Sequence, residues 1–184
     1  MDRRDTMLRT MHDLGAAAWF GGSLMGAVGL NAAASDAKNP TERARLSADG
    51  WMRWAPVNAA AIGAHLIGGA GLVWANKSRH GSQPGVAANT AVKTALTVSA
   101  LAVSAYGAML GARIAQMSDG VQVEGATEPN EATPDGVASA QRQLKVLQWT
   151  TPALTATIIA LGSQQGEMQR PRAQVMALVD RLAS

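Results

Sequence analysis

Formal charge is missing from four long stretches of this 184-residue chain: residues 14–35 (22 residues), 54–76 (23), 94–112 (19) and 146–166 (21). A helix needs about 20 predominantly apolar residues to cross the hydrocarbon core of a bilayer, so each gap is close to one crossing. A soluble helix of that length carries charges on its wet face, and these carry none. The alternative, an alanine-rich soluble bundle, leaves that pattern without a cause. Bulk composition does not decide between them, because 47% hydrophobic residues and a mean hydropathy of +0.01 suit either class. The distribution of charge predicts an all-α, integral membrane four-helix bundle with short amphipathic surface helices, forming a single transmembrane domain over 1–184.

The predicted spans are 12–34, 55–76, 88–116 and 144–165, preceded by a short amphipathic lead, "MDRRDTMLRTM". Arg3-Arg4, the apolar run and "AAAS" at 32–35 imitate a signal peptide. The run is longer than a usual signal core and glycine-rich on one side, so it is read as the first helix. Between the first two spans, Asn39-Pro40-Thr41 marks the start of a short surface helix. Residues 76–85, "NKSRHGSQPG", form a tight polar turn. Residues 117–143 contain five carboxylates, one arginine and no aromatic residue, a composition that predicts a mobile acidic solvent loop. Beyond Pro171, apolar residues at helical spacing predict an interfacial helix over 171–183.

Cysteine is absent, which removes disulfides, thiolate metal sites and thiol nucleophiles together. A net charge of +3, spread without a basic block, gives no footprint for nucleic acid. With the N-terminus inside, nine Lys and Arg fall on the cytoplasmic side and seven outside. That bias places both termini in the cytoplasm. Trp51, Trp54, Trp74 and Trp149 fall at predicted span ends, where an amphipathic indole is comfortable. Trp19 lies deeper and reads as a packing residue.

Membrane helices associate through small residues that let backbones approach. Gly15, Gly22, Gly26 and Gly29 form such a stripe on the first helix, Gly68 and Gly71 on the second, and Gly107 and Gly111 on the third. These stripes predict tight packing within the chain, or docking of a membrane-protein partner or a second copy. Pro152 should kink or start the regular part of the fourth helix.

Polar residues inside a membrane are the default suspects for function. His65 is the one mid-span histidine, and a hydroxyl such as Ser99 or Ser104 would satisfy it. His12 sits with Asp13 at the start of the first span. The depths of His12 and His65 along antiparallel helices, at about 1.5 Å per residue, are predicted to differ by roughly 10–15 Å, too far for one haem to join them. His80 could approach His12 at the cytoplasmic surface. Met7 and Met11 with Met1 and His12 form a candidate soft-metal site for copper. No cofactor is predicted; haem or copper at His12 or His65 is the alternative. No phosphate loop or hydrolase constellation is present.

At "LRTMHDLGAAAWFGGSLMG" the chain resembles the opening span of copper-resistance D (CopD)-like membrane proteins, through His12, Leu14, Gly15, Ala16, Trp19, Gly21 and Gly22. The likeness covers about 20 residues of the 184. It implies a bacterial plasma-membrane protein linked to copper or redox handling. The whole chain looks more like an uncharacterised four-span bacterial membrane protein. The leading expectation is a non-enzymatic accessory, scaffold or assembly subunit in the bacterial inner membrane. The alternatives are a metal- or haem-linked redox protein and a small permease for a neutral solute lined by Asn58, His65 and Pro152.

Overall fold

A computed structural model describes residues 3–75 and 84–168. The 76–83 turn with His80, and the helix expected over 171–183, lie outside the described residues. The described chain is built of helices, with no strand among its described residues. Helix α1 (Arg3–Met25) continues through a π-helical turn (Gly26–Leu30) into α2 (Asn31–Ser35). Helices α3 (Arg43–Ala75), α4 (Pro84–Met117) and α5 (Asp135–Met168) follow. α1 packs chiefly on α3 and α4 on α5, with α5 also against α1, while α3 and α4 barely meet.

The helices are longer than the charge-free stretches that announced them. α1 starts at Arg3, so the amphipathic lead is its first turns. α3 starts at Arg43 and runs unbroken through Pro56, so the surface helix expected before the second span is the first third of α3 itself. Asn39 prepares that start: its Oδ1 accepts from the Thr41 backbone N–H (3.1 Å) and from the Thr41 hydroxyl (2.8 Å). α5 likewise starts at Asp135 and passes Pro152 without a break. Around Pro152 the hydroxyls of Thr150, Thr151 and Thr155 reach back to the carbonyls of Val146, Leu147 and Thr151, as threonines commonly do in helices. Charge counts mark where a segment can be wet; they do not mark where hydrogen-bonded turns stop.

The acidic segment is the clearest departure. Of residues 117–143, expected as a mobile loop, 118–134 fold as a cap over one end of the bundle and 135–143 are the first turns of α5. Val123 is fully buried with Leu110, Ile114, Val137 and Ala140. The Arg43 guanidinium donates to the carbonyls of Ala37, Val123 and Glu124. The Gln141 amide, also fully buried, donates to the carbonyls of Gly125 and Ala126. The carboxylates stay at the surface while the small and branched residues between them turn inward, so overall acidity did not prevent packing.

A second core, Trp19, Ala100 and Ile158, sits mid-bundle with Ile62, Leu96, Leu101 and Leu154 against it. Among the described residues two helical stretches, α3 and the Ala87–Met117 part of α4, are long and apolar enough to cross a membrane, against the four expected. The other two helices dilute their apolar runs with Gly, Ser, Thr, Asn and Gln.

Candidate site: a clasped histidine pair and a polar node on the first helix

α1 and α3 run antiparallel and share a short pattern, His-x-x-Gly, at 12–15 and 65–68. A methyl group built on Gly15 would stand 2.6 Å from the backbone nitrogen of His65. One built on Gly68 would stand 2.6 Å from the backbone nitrogen of His12. Each glycine therefore admits the partner helix at the turn carrying the partner histidine, a near-twofold arrangement. At that distance each ring reaches across to the other backbone. His12 Nδ1 lies 2.8 Å from the His65 carbonyl oxygen, and His65 Nδ1 lies 3.0 Å from that of His12.

A carbonyl oxygen can only accept, so each Nδ1 carries the proton and donates. The two rings stack at a centroid distance of 4.0 Å and 17° between planes. Trp19 presents an edge to His65 at 6.2 Å. The expected depth difference between His12 and His65 is overturned. A crossing set by glycines this far along both helices brings the residues to one level. His65 is also satisfied differently than expected: Ser104 accepts from Trp19 Nε1 at 3.2 Å, and the hydroxyl facing His65 Nε2 is that of Thr97, at 3.5 Å.

Does this pair suit a metal or haem iron held between two imidazoles? Lone pairs on Nε2 lie in the ring planes, and metal–nitrogen bonds of about 2.0–2.1 Å require them to converge on one point. Nearly parallel stacked rings keep theirs in two separate planes, so the pair as clasped does not fit one ion held between its members. No group of three His, Asp or Glu side chains among the described residues is placed to hold a metal. Met7 is 59% exposed, whereas the His12 ring turns inward to His65, so these two candidate soft-metal ligands are not brought together; Met1 lies outside the described residues.

Lys93 on α4 is a neighbour that the charge-free stretches excluded by one residue. Half-buried, it donates to Gln165 Oε1 on α5. It and Asp13 act electrostatically on both imidazoles.

A second polar node lies toward the cap. Along α1 the row facing α3 steps by seven and then four residues through Gly15, Gly22 and Gly26, and the Trp54 and Trp51 indoles lie over the last two. Continuing by four would bring Leu30 onto the row. The π turn adds one residue, with the Asn31 N–H bonded to the Gly26 carbonyl, and puts Asn31 there instead. Asn31 Oδ1 accepts from Ser47 (2.8 Å) and Trp51 Nε1 (3.0 Å), and its Nδ2 donates to Gln148 Oε1 (2.8 Å). One buried amide thus ties α2, α3 and α5 together.

Trp51 and Trp54, expected as interfacial anchors, serve here as lids over glycines, while Trp74 and Trp149 do stand exposed. Trp19 is fully buried, in keeping with a packing role. The small-residue stripes divide in the same way. Gly15, Gly22, Gly26, Gly68 and Gly71 face a neighbouring helix at close range. Gly29 meets only Met25 of its own helix, Gly107 has a single atom of Leu144 at 3.8 Å, and Gly111 has open space. The residues proposed for a solute path separate too: Asn58 borders a crevice between α3 and α4 that neither His65 nor Pro152 lines. Among protein-family models, curated proteins and solved structures, nothing matches this chain.

Proposed function

We propose that this chain is a multi-pass protein of a bacterial plasma membrane, a four-helix bundle that acts as a non-enzymatic accessory or assembly subunit. One observation carries the reading: in α3 and α4 only 17% of the apolar window is buried inside the protein. The core helix of a soluble protein would turn such a window inward, and an exposed apolar surface of this extent calls for lipid or a partner. Met52, Val57, Ile67 and Val73 on α3, with Val98 and Met109 on α4, supply that surface. The inward polar groups support a structural role, because the His12–His65 clasp and the Asn31 node are spent on joining helices.

Both termini are assigned to the cytoplasm, which places the 36–42 turn and the cap together outside. Their contacts agree with one another, since Arg43 and Pro40 hold the cap directly.

The test is expression, carbonate washing of membranes and purification in detergent, followed by visible absorption, metal analysis and chemical cross-linking. The expected protein stays in washed membranes, is colourless and cross-links into a defined stoichiometric complex. Release by carbonate would overturn the membrane assignment. A Soret band or stoichiometric copper would overturn the accessory role in favour of redox or metal handling.

A further inference from the structure

α4 and α5 pack antiparallel, with Met117 against Gly136 and Leu144 against Gly107. A groove of about 420 Å³ opens on this seam. Arg113 and Asp135 line its cap-side end, Tyr106 and Gln143 its other end, and Met109 and Ser139 lie between. The Tyr106 hydroxyl donates to Gln143 Oε1 and closes the far end. The Gln143 amide donates to the carbonyl (3.2 Å) and hydroxyl oxygen (3.4 Å) of Ser139, which leaves the Ser139 O–H uncommitted among the described residues. Arg113 and Asp135 carry opposite charges on one groove, yet neither is paired with the other or with any described residue. Both side chains are exposed, so a ligand in the groove can reach them. Arg113 directly follows the charge-free stretch 94–112, and Gln143 stands beside Arg142 and Lys145, the last charges before 146–166. In the membrane reading the groove therefore lies in the headgroup layer, where apolar spans give way to charge.

We propose that this groove binds the head of a phospholipid bearing a primary ammonium, of the phosphatidylethanolamine type. Its phosphate takes the Arg113 guanidinium and the Ser139 hydroxyl, and its ammonium donates to the Asp135 carboxylate. Its chains run inward past Met109 and Val146, both exposed. The two opposite charges select a zwitterion, since a purely anionic head would meet Asp135 and a purely cationic one Arg113. A quaternary choline head has no N–H to give the carboxylate, which favours the primary ammonium. This inference rests on the membrane reading above.

The experiment uses the full chain in detergent micelles, titrated with phosphatidylethanolamine, phosphatidylcholine and phosphatidylglycerol of identical chains and read by native mass spectrometry. Phosphatidylethanolamine is expected to bind at least about threefold tighter than either of the others, the scale of one solvent-exposed ion pair. Arg113→Gln should weaken it about threefold to tenfold. Asp135→Asn should erase the preference over phosphatidylglycerol. Both side chains are exposed and make no ion pair among the described residues, so melting temperature should not move in either variant. That measurement separates a lost contact from a lost fold.

Equal binding of the three lipids, or a preference unchanged in Asp135→Asn, overturns the proposal and leaves both charges to water. Displacement of the lipid by micromolar O-phosphoethanolamine would assign the groove to a soluble zwitterion, with the same consequence. Carbonate washing separates the failures: a protein retained in membranes but without the preference refutes the lipid site alone.

Discussion

His12 and His65 each donate from Nδ1 to the backbone carbonyl of the other, at 2.8 and 3.0 Å, while their rings stack 4.0 Å apart. The bonds are reciprocal, and the stacked rings are what each side chain adds to the other. Replacing either by alanine keeps its backbone carbonyl as the acceptor for the other imidazole, but removes one of the two ring donors and the stacked ring. Each single substitution is expected to cost about 1–3 kcal/mol. The double substitution should cost less than the sum, by roughly 0.5–3 kcal/mol. Unfolding in detergent, followed by circular dichroism for the four proteins of the cycle, measures this; additive losses would show that the two rings are not coupled.

The same bonds fix the tautomer. Both imidazoles are expected as the Nδ1–H form, with Nε2 unprotonated and, for His65, facing Thr97. Nitrogen-15 spectra of histidine-labelled protein report which ring nitrogen carries hydrogen. A majority Nε2–H signal from either residue would contradict the clasp.

Glycines on the α1–α3 seam should separate sharply from glycines elsewhere. Gly15→Val and Gly68→Val drive carbon into the partner backbone, and each should destabilise by about 1–3 kcal/mol or more. Gly21 and Gly63, helical and with nothing within 4 Å of an added methyl, should tolerate alanine and gain up to about 1 kcal/mol. Melting temperatures of the four variants decide it, and similar losses at all four positions would refute the close crossing.

Asn31 serves three partners, so its replacements should rank by how many they retain. Asn31→Asp keeps an acceptor for Ser47 and Trp51 but loses the donor to Gln148. Asn31→Leu orphans all three and should cost more, at least about 2 kcal/mol. The fluorescence of Trp51, isolated in a background where the other tryptophans are replaced by phenylalanine, should shift on either change. An unmoved spectrum would place Trp51 outside the node.

The cap is expected to be ordered. Backbone amides around Val121–Thr127 should exchange with solvent slowly, and Val123→Asp should accelerate them by placing a carboxylate in a closed apolar cluster. Hydrogen exchange read by mass spectrometry tests both statements; fast exchange in the unmodified protein would restore the solvent-loop reading.

Much of the helical plan was legible because charge and apolarity are local properties. Asn39-Pro40-Thr41 announced a helix start, and the start is there, but the helix behind it runs on to Ala75 because Ala44, Ser47 and Trp51 find partners across the bundle. The stripe on α1 was readable from spacing alone. Which glycines of α4 would meet a neighbour was not, since Gly107 and Gly111 have the same spacing and face a crevice. The histidine pair had a signal in the repeated His-x-x-Gly of 12–15 and 65–68. Counting depth from the ends of charge-free stretches hid it.

Sequence by itself determined that the chain is helical, where charge can and cannot lie, and that small residues line successive helix faces. Each follows from properties a residue carries with it: side-chain volume, charge and backbone freedom. Only the tertiary structure decided that His12 and His65 stand at one level, that the acidic segment closes into a cap, and that α3 and α4 part around Trp54 and Asn58. Those outcomes depend on the register between helices far apart in sequence. That register is set by where glycines let two backbones touch and by the one extra residue of the π turn before Asn31.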